Sequence, residues 1–472
     1  MDILIMAGQL TLSLMILVTL HELGHFLPAR WFNTRVEKFY LFFDPWFAVF
    51  KARKINGRWN VASIFNKNKE YPEDRKDVTE YGIGWLPLGG YVKIAGMIDE
   101  SMDTEQMKGE PQPWEFRSKP AWQRLIIMLG GVTVNFILGF FLYAMVLWVW
   151  GEQYLPAENV KYGIYVDSLG MDMGLRDGDK IKAIGNQAFI KFNDRAIVRE
   201  VIINNANRLV IERDGNVMDL PIDKKFVGIL SKRDNKNKVI FGARTPFIVN
   251  EFGKDSPAEK AGMQKDDRVI AFNDAPTPYF HEFAKLARQH KNDEVKITVL
   301  RNTTDTVDLN VKMTEDGKIG VAAKTLDNFF DFKRQDYTIA EAIPAGVTKG
   351  LGFLNDQAKA FGQMFRGRIK VSESLGGLGS IGGMFGGEWI WERFWLMTAI
   401  LSLVLAFMNL LPIPALDGGH VLFLLYEMVS GRKPSDKFLE YATTFGFILV
   451  LGLIVFANGL DIWEAIKGWF GK

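Results

Sequence analysis

Cysteine is absent from this 472-residue chain, and histidine is scarce, with five residues at 21, 25, 281, 290 and 420. Without cysteine there is no disulfide and no thiolate metal ligand, so any metal must be held by histidine and carboxylate. An excess of charge of one sign is also missing. The net charge is +2 and no basic tract or Arg-rich tail occurs, which excludes a nucleic-acid partner. A chain of this length is too long for one domain, and three or four units are expected. Mean hydropathy near zero averages very unlike segments, because the middle of the chain is polar and both ends are apolar.

Four runs are long and apolar enough for transmembrane helices, at about 3–28, 125–150, 394–412 and 438–459. The first is expected to be retained rather than cleaved as a signal peptide, since it lacks a basic leading region and begins with Asp2. Trp148 and Trp150 close the second at a position suited to a membrane interface. Basic residues crowd the stretch between the first two runs, from Arg30, Arg35 and Lys38 to Lys119 and Arg124. Arg432, Lys433 and Lys437 lie between the last two. The positive-inside rule makes both loops cytoplasmic, and both termini and the long 151–390 segment then fall on the outer side.

His21-Glu22-Leu23-Gly24-His25 stands at the end of the first run. On a helix the two histidines share a face and both imidazoles can reach one zinc ion, while Glu22 projects beside it as a general base for water. The same five-residue pattern arises by chance on hydrated surface helices, but the apolar context removes that reading. Ionisable side chains within a membrane span mark a functional site. With Arg30 at the boundary, His25 lies roughly 8 Å below the cytoplasmic surface at 1.5 Å per residue. The third run also heads inward and ends at Leu416-Asp417-Gly418-Gly419-His420. Taken alone this is a turn. At the same depth and side as the histidine pair, Asp417 becomes the expected third ligand, leaving a fourth zinc position for water.

The outer segment contains an internal repeat. Met173-Gly174-Leu175-Arg176-Asp177-Gly178-Asp179 matches Ala261-Gly262-Met263-Gln264-Lys265-Asp266-Asp267 at an offset of 88 residues, and Leu209–Arg213 matches Ile297–Arg301 at the same offset. Both copies resemble the PDZ domain, an α/β fold that binds extended chains by adding a strand to its sheet. Beyond them, Ile339, Ala342, Ile343, Val347, Leu351 and Phe353 fit a short amphipathic helix, followed by a Gly-rich stretch. This region is expected to act as a lid or strut.

Nearly the whole chain resembles the site-2 protease family of intramembrane zinc metalloproteases. The resemblance rests on His21-Glu22-x-x-His25 in the first span, tandem PDZ-like domains, and Asn409-x-x-Pro412 leading to Leu416-Asp417-Gly418. It implies that His21, His25 and Asp417 bind zinc, that Glu22 is the catalytic base, and that Asn409 holds the substrate backbone. It implies that Gly82–Lys93 forms a membrane re-entrant β-loop, in which Gly89, Gly90, Tyr91 and Val92 position substrate. An ordinary Gly-Pro turn between strands is the competing reading of that stretch. The family's second span often reads Gly-Pro-x-x-Asn, whereas this chain has Gly131-Val132-Thr133-Val134-Asn135, leaving Asn135 as a polar contact for substrate.

The expected architecture is a multi-domain membrane protein with a four-span α-helical catalytic core, a cytoplasmic-side re-entrant β element, and two α/β PDZ-like domains outside. Its divisions are 1–31, 32–120, 121–154, 155–236 and 237–325 (the two repeats), 326–392, 393–422 and 436–460. The expected partners are the lipid bilayer and single-span membrane proteins of the anti-sigma-factor type, with remnant signal peptides as a second class. The bacterial inner membrane is the expected location. The PDZ-like pair is expected to screen substrates by size. Two rival readings are a PDZ scaffold with a structural metal and a metal transporter. Neither explains why His21, Glu22, His25 and Asp417 occur together.

Overall fold

A computed structural model describes residues 2–66, 71–75, 77–87, 89–97, 109–235 and 238–470. Two units separate within it: Met1–Gly151 with Asp336–Ala358 and Leu375–Lys472, and Glu152–Gln335 with Lys359–Ser374. The first apolar run is helix α1 (Asp2–Trp31). Its 30 residues give about 45 Å of length, enough to cross a bilayer. Asn33, in the left-handed region at φ 53°, then turns the chain into a sheet.

That sheet holds β1 (Val36–Leu41), β2 (Phe43–Ile55), β3 (Arg58–Ser63), β4 (Glu80–Leu86) and β5 (Tyr91–Ile94) in the order β3-β2-β4-β1-β5. Aromatic and β-branched residues suit these strands, and β5 ends the order with one edge outside the ladder. A buried carboxylate pins the middle of the sheet. The Tyr40 and Tyr71 hydroxyls donate to the two oxygens of Glu80, at 2.8 and 2.7 Å, and Arg53 Nη2 lies 3.0 Å from it. Burial, reinforced by the Glu80 carboxylate, raises both phenols above their usual range and keeps them as donors.

Helix α2 (Ala121–Trp150) crosses α1 at three glycines. A Cβ on Gly24 would lie 2.4 Å from the Gly130 carbonyl oxygen, and one on Gly130 would lie 1.9 Å from that of Gly24. Small residues are what allow two apolar helices to approach so closely.

The second unit opens with β6 (Glu152–Tyr154) and holds two copies of one element order. The first copy runs β7 (Ile164–Val166), α3 (Ser168–Asp172), β8 (Lys180–Ile184), β9 (Gln187–Ala188), α4 (Arg195–Ile202), β10 (Arg208–Arg213) and β11 (Asn216–Pro221). After α5 (Lys225–Ser231), β12 (Phe241–Ala243) pairs with β7. The second copy runs β13 (Phe247–Phe252), α6 (Pro257–Lys260), β14 (Arg268–Phe272), β15 (Ala275–Pro276), α7 (Phe280–Ala287), β16 (Glu294–Arg301), β17 (Asp305–Lys312) and β18 (Val321–Ala323). Strand β19 (Lys333–Gln335) returns to pair with β6.

The repeated residues explain the repeated fold. Arg213 forks onto Asp179 at 2.8 Å through both nitrogens and reaches the Gly174 carbonyl; Arg301 does the same to Asp267 and Gly262. Each copy encloses its own apolar core, around Ile197, Leu209 and Ile211 in one and Val269, Ile297 and Val311 in the other. Strand β12 closes the first copy from beyond residue 236, inside the stretch that the repeat spacing assigns to the second. The matching residues stop at Arg213 and Arg301, so they carry no register for the closing strand.

The remaining helices are α8 (Ile339–Phe365), α9 (Val371–Ser374), α10 (Leu378–Gly383), α11 (Trp391–Leu410), α12 (Asp417–Ser430) and α13 (Asp436–Phe470). Among the described residues four helices, α1, α2, α11 and α13, are long and apolar enough to cross a membrane. Polar pins join them: Thr398 Oγ1 donates to Ser13 Oγ at 3.0 Å, and Ser402 Oγ to the Asn135 carbonyl at 2.8 Å. In the Gly-rich stretch, the Leu378 and Ser380 amides donate to Asn458 and Asp461 of α13, at 3.1 and 2.8 Å.

Candidate metal centre and active site

His21 and His25 lie one helical turn apart on the buried face of α1, and α2 is what fixes both rings. His25 Nδ1 is 2.8 Å from the Ile127 carbonyl oxygen. A carbonyl only accepts, so Nδ1 carries the proton and the Nε2 lone pair points the other way. Gly131 leaves the space in which the rings sit. A Cβ there would lie 2.4 Å from His25 Nε2 and 2.6 Å from His21 Cε1.

Asp417 arrives from a different part of the chain. The segment between α11 and α12 doubles back through Ala415, held at φ 86°, and packs onto two glycines. A Cβ on Gly418 would meet the Leu411 carbonyl oxygen at 2.3 Å, and one on Gly419 the Ile413 oxygen at 2.6 Å. Left-handed backbone at a non-glycine residue stores about 1–3 kcal/mol, and such strain concentrates at functional sites. At the far end of α12 an Arg124–Glu427 ion pair ties that helix to α2. The Asp417 carboxylate is thereby presented to the histidines from a braced helix.

The three ligand atoms form a nearly equilateral triangle. His21 Nε2 and His25 Nε2 are 3.3 Å apart, and Asp417 Oδ2 lies 3.4 and 3.3 Å from them. A tetrahedral zinc with bonds of about 2.0–2.1 Å spaces its ligand atoms about 3.3–3.4 Å apart. Asp417 Oδ2 is buried and has no hydrogen-bond partner among the described residues. An orphaned carboxylate oxygen beside two imidazole nitrogens is the donor set of a zinc site, so the residues present fit the metal.

A cavity of about 660 Å³ opens onto this triangle. His21, Glu22, His25 and Asp417 line it, with His420 nearby and all four residues of β5, Tyr91–Ile94, on its wall. Thr443 and Phe447 of α13 also face it. Tyr91 is held by a 2.7 Å hydrogen bond from its hydroxyl to Asp44. Asn409 Nδ2 lies 3.3 Å from His21 Nε2, on the ligand side of that ring.

Comparison with known proteins decides the family. The model of peptidase family M50 matches residues 9–66 and 69–453. The chain belongs to peptidase family M50. This family of site-2 proteases is zinc-dependent, and the chain is a zinc metalloprotease. It is 25% identical over 472 residues to the regulator of sigma-E protease of Salmonella typhimurium, covering 94% of this chain and 96% of that protein. The regulator of sigma E protease of Haemophilus influenzae is 25% identical over 465 residues, with 95% and 97% covered. A Neisseria meningitidis protein whose name describes a zinc metalloprotease is 25% identical over 474 residues, with 95% and 97% covered.

The metalloprotease's expected site residues divide into three groups. His21, His25, Asp417 and Glu22 converge on one cavity, and Tyr91 and Val92 line it as well. Gly89 and Gly90 lie outside its lining; a Cβ on Gly90 would strike the Tyr40 carbonyl at 2.6 Å and Val18 at 2.9 Å, so Gly90 lets the chain approach α1, while one on Gly89 would meet the Phe43 ring at 2.9 Å. Leu88, in the same loop, is outside the described residues. Asn135 is fully buried at 0% exposure, with Nδ2 3.0 Å from His21 Nδ1. In this position it faces a ligand's back rather than the cavity. Gly24, Gly130 and the Ile127 carbonyl went unread in the sequence. The adjacent glycines 130 and 131 in an apolar run were the available signal for a close helix crossing.

Proposed function

We propose that this metalloprotease cuts within the transmembrane segments of single-span proteins, with His21, His25 and Asp417 as the zinc ligands and Glu22 as the general base. The observation that carries this reading is the convergence of the ligand triangle, Glu22 and the edge strand β5 on one cavity. Zinc held there supplies Lewis acidity, polarising the scissile carbonyl and making water acidic near neutral pH. Glu22 takes the proton of the attacking water and delivers it to the leaving amide nitrogen. The Asn409 amide donates to the carbonyl oxygen as negative charge grows there.

A peptide bond inside a helix is shielded by its own hydrogen bonding, so the substrate must be extended first. Strand β5 ends the order of its sheet and lines the cavity, and an unwound segment laid along it pairs through its backbone, satisfying polar groups that lipid cannot. Relatives named as regulators of sigma-E protease support anti-sigma-type membrane proteins as the substrate class. The two repeats act as outer PDZ-like domains that admit substrates already shortened outside the membrane. Both termini lie on that outer side of a bacterial inner membrane, and the catalytic site lies near the cytoplasmic face.

A chelator is expected to stop cleavage of a truncated single-span substrate by the purified chain, and added zinc to restore it. Mass spectrometry should place the new termini inside the apolar segment of the substrate. Cleavage only in flanking, water-exposed sequence would contradict the proposal.

A further inference from the structure

His21 is held differently from His25. Its Nδ1 faces the side chain of Asn135 at 3.0 Å, and Asn135 is 0% exposed, its backbone pinned by the Ser402 hydroxyl. With Nδ2 turned toward the ring, the Asn135 Oδ1 atom is buried with no hydrogen-bond partner among the described residues. An amide nitrogen donates, so this orientation suits a ring whose Nδ1 carries the lone pair and whose Nε2 carries the proton.

That tautomer is the wrong one for a metal ligand. Nε2 is the atom that faces Asp417 and His25, so its lone pair must be free when a metal is bound. The proton then belongs on Nδ1, which needs an acceptor. A half-turn of the Asn135 amide exchanges its oxygen and nitrogen and places Oδ1 at that spot.

We propose that Asn135 is a positioning residue for the metal centre: its side-chain oxygen accepts from His21 Nδ1, fixing the tautomer whose Nε2 ligates the metal. This rests on the reading of His21 as a ligand given above. It moves Asn135 from substrate contact to ligand support. Partners that orient a ligating histidine typically change metal affinity 10–100-fold when removed.

The test is zinc affinity of the full-length protein in detergent, measured by chelator competition for wild type, His21→Ala, Asn135→Leu and Asn135→Asp. Asn135→Leu keeps the branched outline and removes the acceptor; it is expected to weaken zinc binding about 10–100-fold. Asn135→Asp keeps an acceptor and is expected to stay within a few-fold of wild type. A packing role alone reverses that order, since a carboxylate is costlier than leucine at a fully buried position. Asn135→Ala replaces the leucine variant if the latter does not give a folded, monodisperse chain. Wild-type affinity in the folded acceptor-free variant overturns the inference. An aspartate variant as weak as the leucine one also overturns it. Undiminished affinity in His21→Ala overturns the ligand assignment itself, and the inference with it, which separates the two failures.

Discussion

Gly131 is a residue at which no methyl group can be added without moving one of the two histidines proposed to hold the metal. Its Cβ would fall 2.4 Å from His25 Nε2 and 2.8 Å from His21 Nδ1. Gly131→Ala is therefore expected to leave helix propensity intact or improved while abolishing stoichiometric zinc in the purified protein, measured by elemental analysis. Near-stoichiometric zinc in that variant would show that the rings are not confined as described. At this scale the meeting of His21, His25 and Asp417 was legible in the sequence, because a four-residue histidine spacing and an aspartate at matching depth are properties of single segments. The supports were not. Gly24, Gly130 and the Ile127 carbonyl matter only through the register in which α1 meets α2. Asn135 was legible as a polar residue in an apolar run, but only packing shows which way it faces.

Among the elements, the five-stranded sheet bears on the site through β5, and β5 is ordered by the strands behind it. Glu80 is the polar centre of that sheet, with side-chain exposures of 4% for Glu80 and 5% for Arg53. Removing one member of such a pair leaves an unpaired buried charge and costs about 3–5 kcal/mol. Glu80→Ala should therefore lower the thermal unfolding midpoint markedly and lower activity with it. A midpoint unchanged from wild type would remove the sheet from the account. Helices α1, α2 and α11 were legible from length and hydropathy within a few residues, whereas α13 continues to Phe470, well past the expected end at 459. Helix α8 was expected only to Phe353, yet it continues to Phe365. The signal for its last turns was present, since Leu354, Ala358, Phe361 and Phe365 keep the helical spacing. Polar contacts join them there: Lys359 and Gln363 donate to Asn204 and Asn205 of the first repeat, at 2.8 and 3.1 Å.

For the whole molecule, the absence of cysteine becomes an experimental advantage, since any single introduced thiol can be labelled without background. With the proposed orientation, a membrane-impermeant maleimide added to cells with a permeabilised outer membrane labels Asn302→Cys at the repeat surface. It labels Lys54→Cys only after the inner membrane is opened. The reverse pattern would invert the topology and move the active site to the other face. The four apolar helices and the repeat were readable at this scale because they depend on patterns tens of residues long. The central claim concerns one carboxylate in one cavity, and it is tested most directly by Glu22→Gln. A truncated single-span substrate is incubated with wild type and variant in detergent, with bound zinc counted in both. The account predicts about one zinc in each and a loss of cleavage in the variant of at least about a hundredfold. Undiminished cleavage with zinc still bound would contradict the assignment of Glu22 as the base.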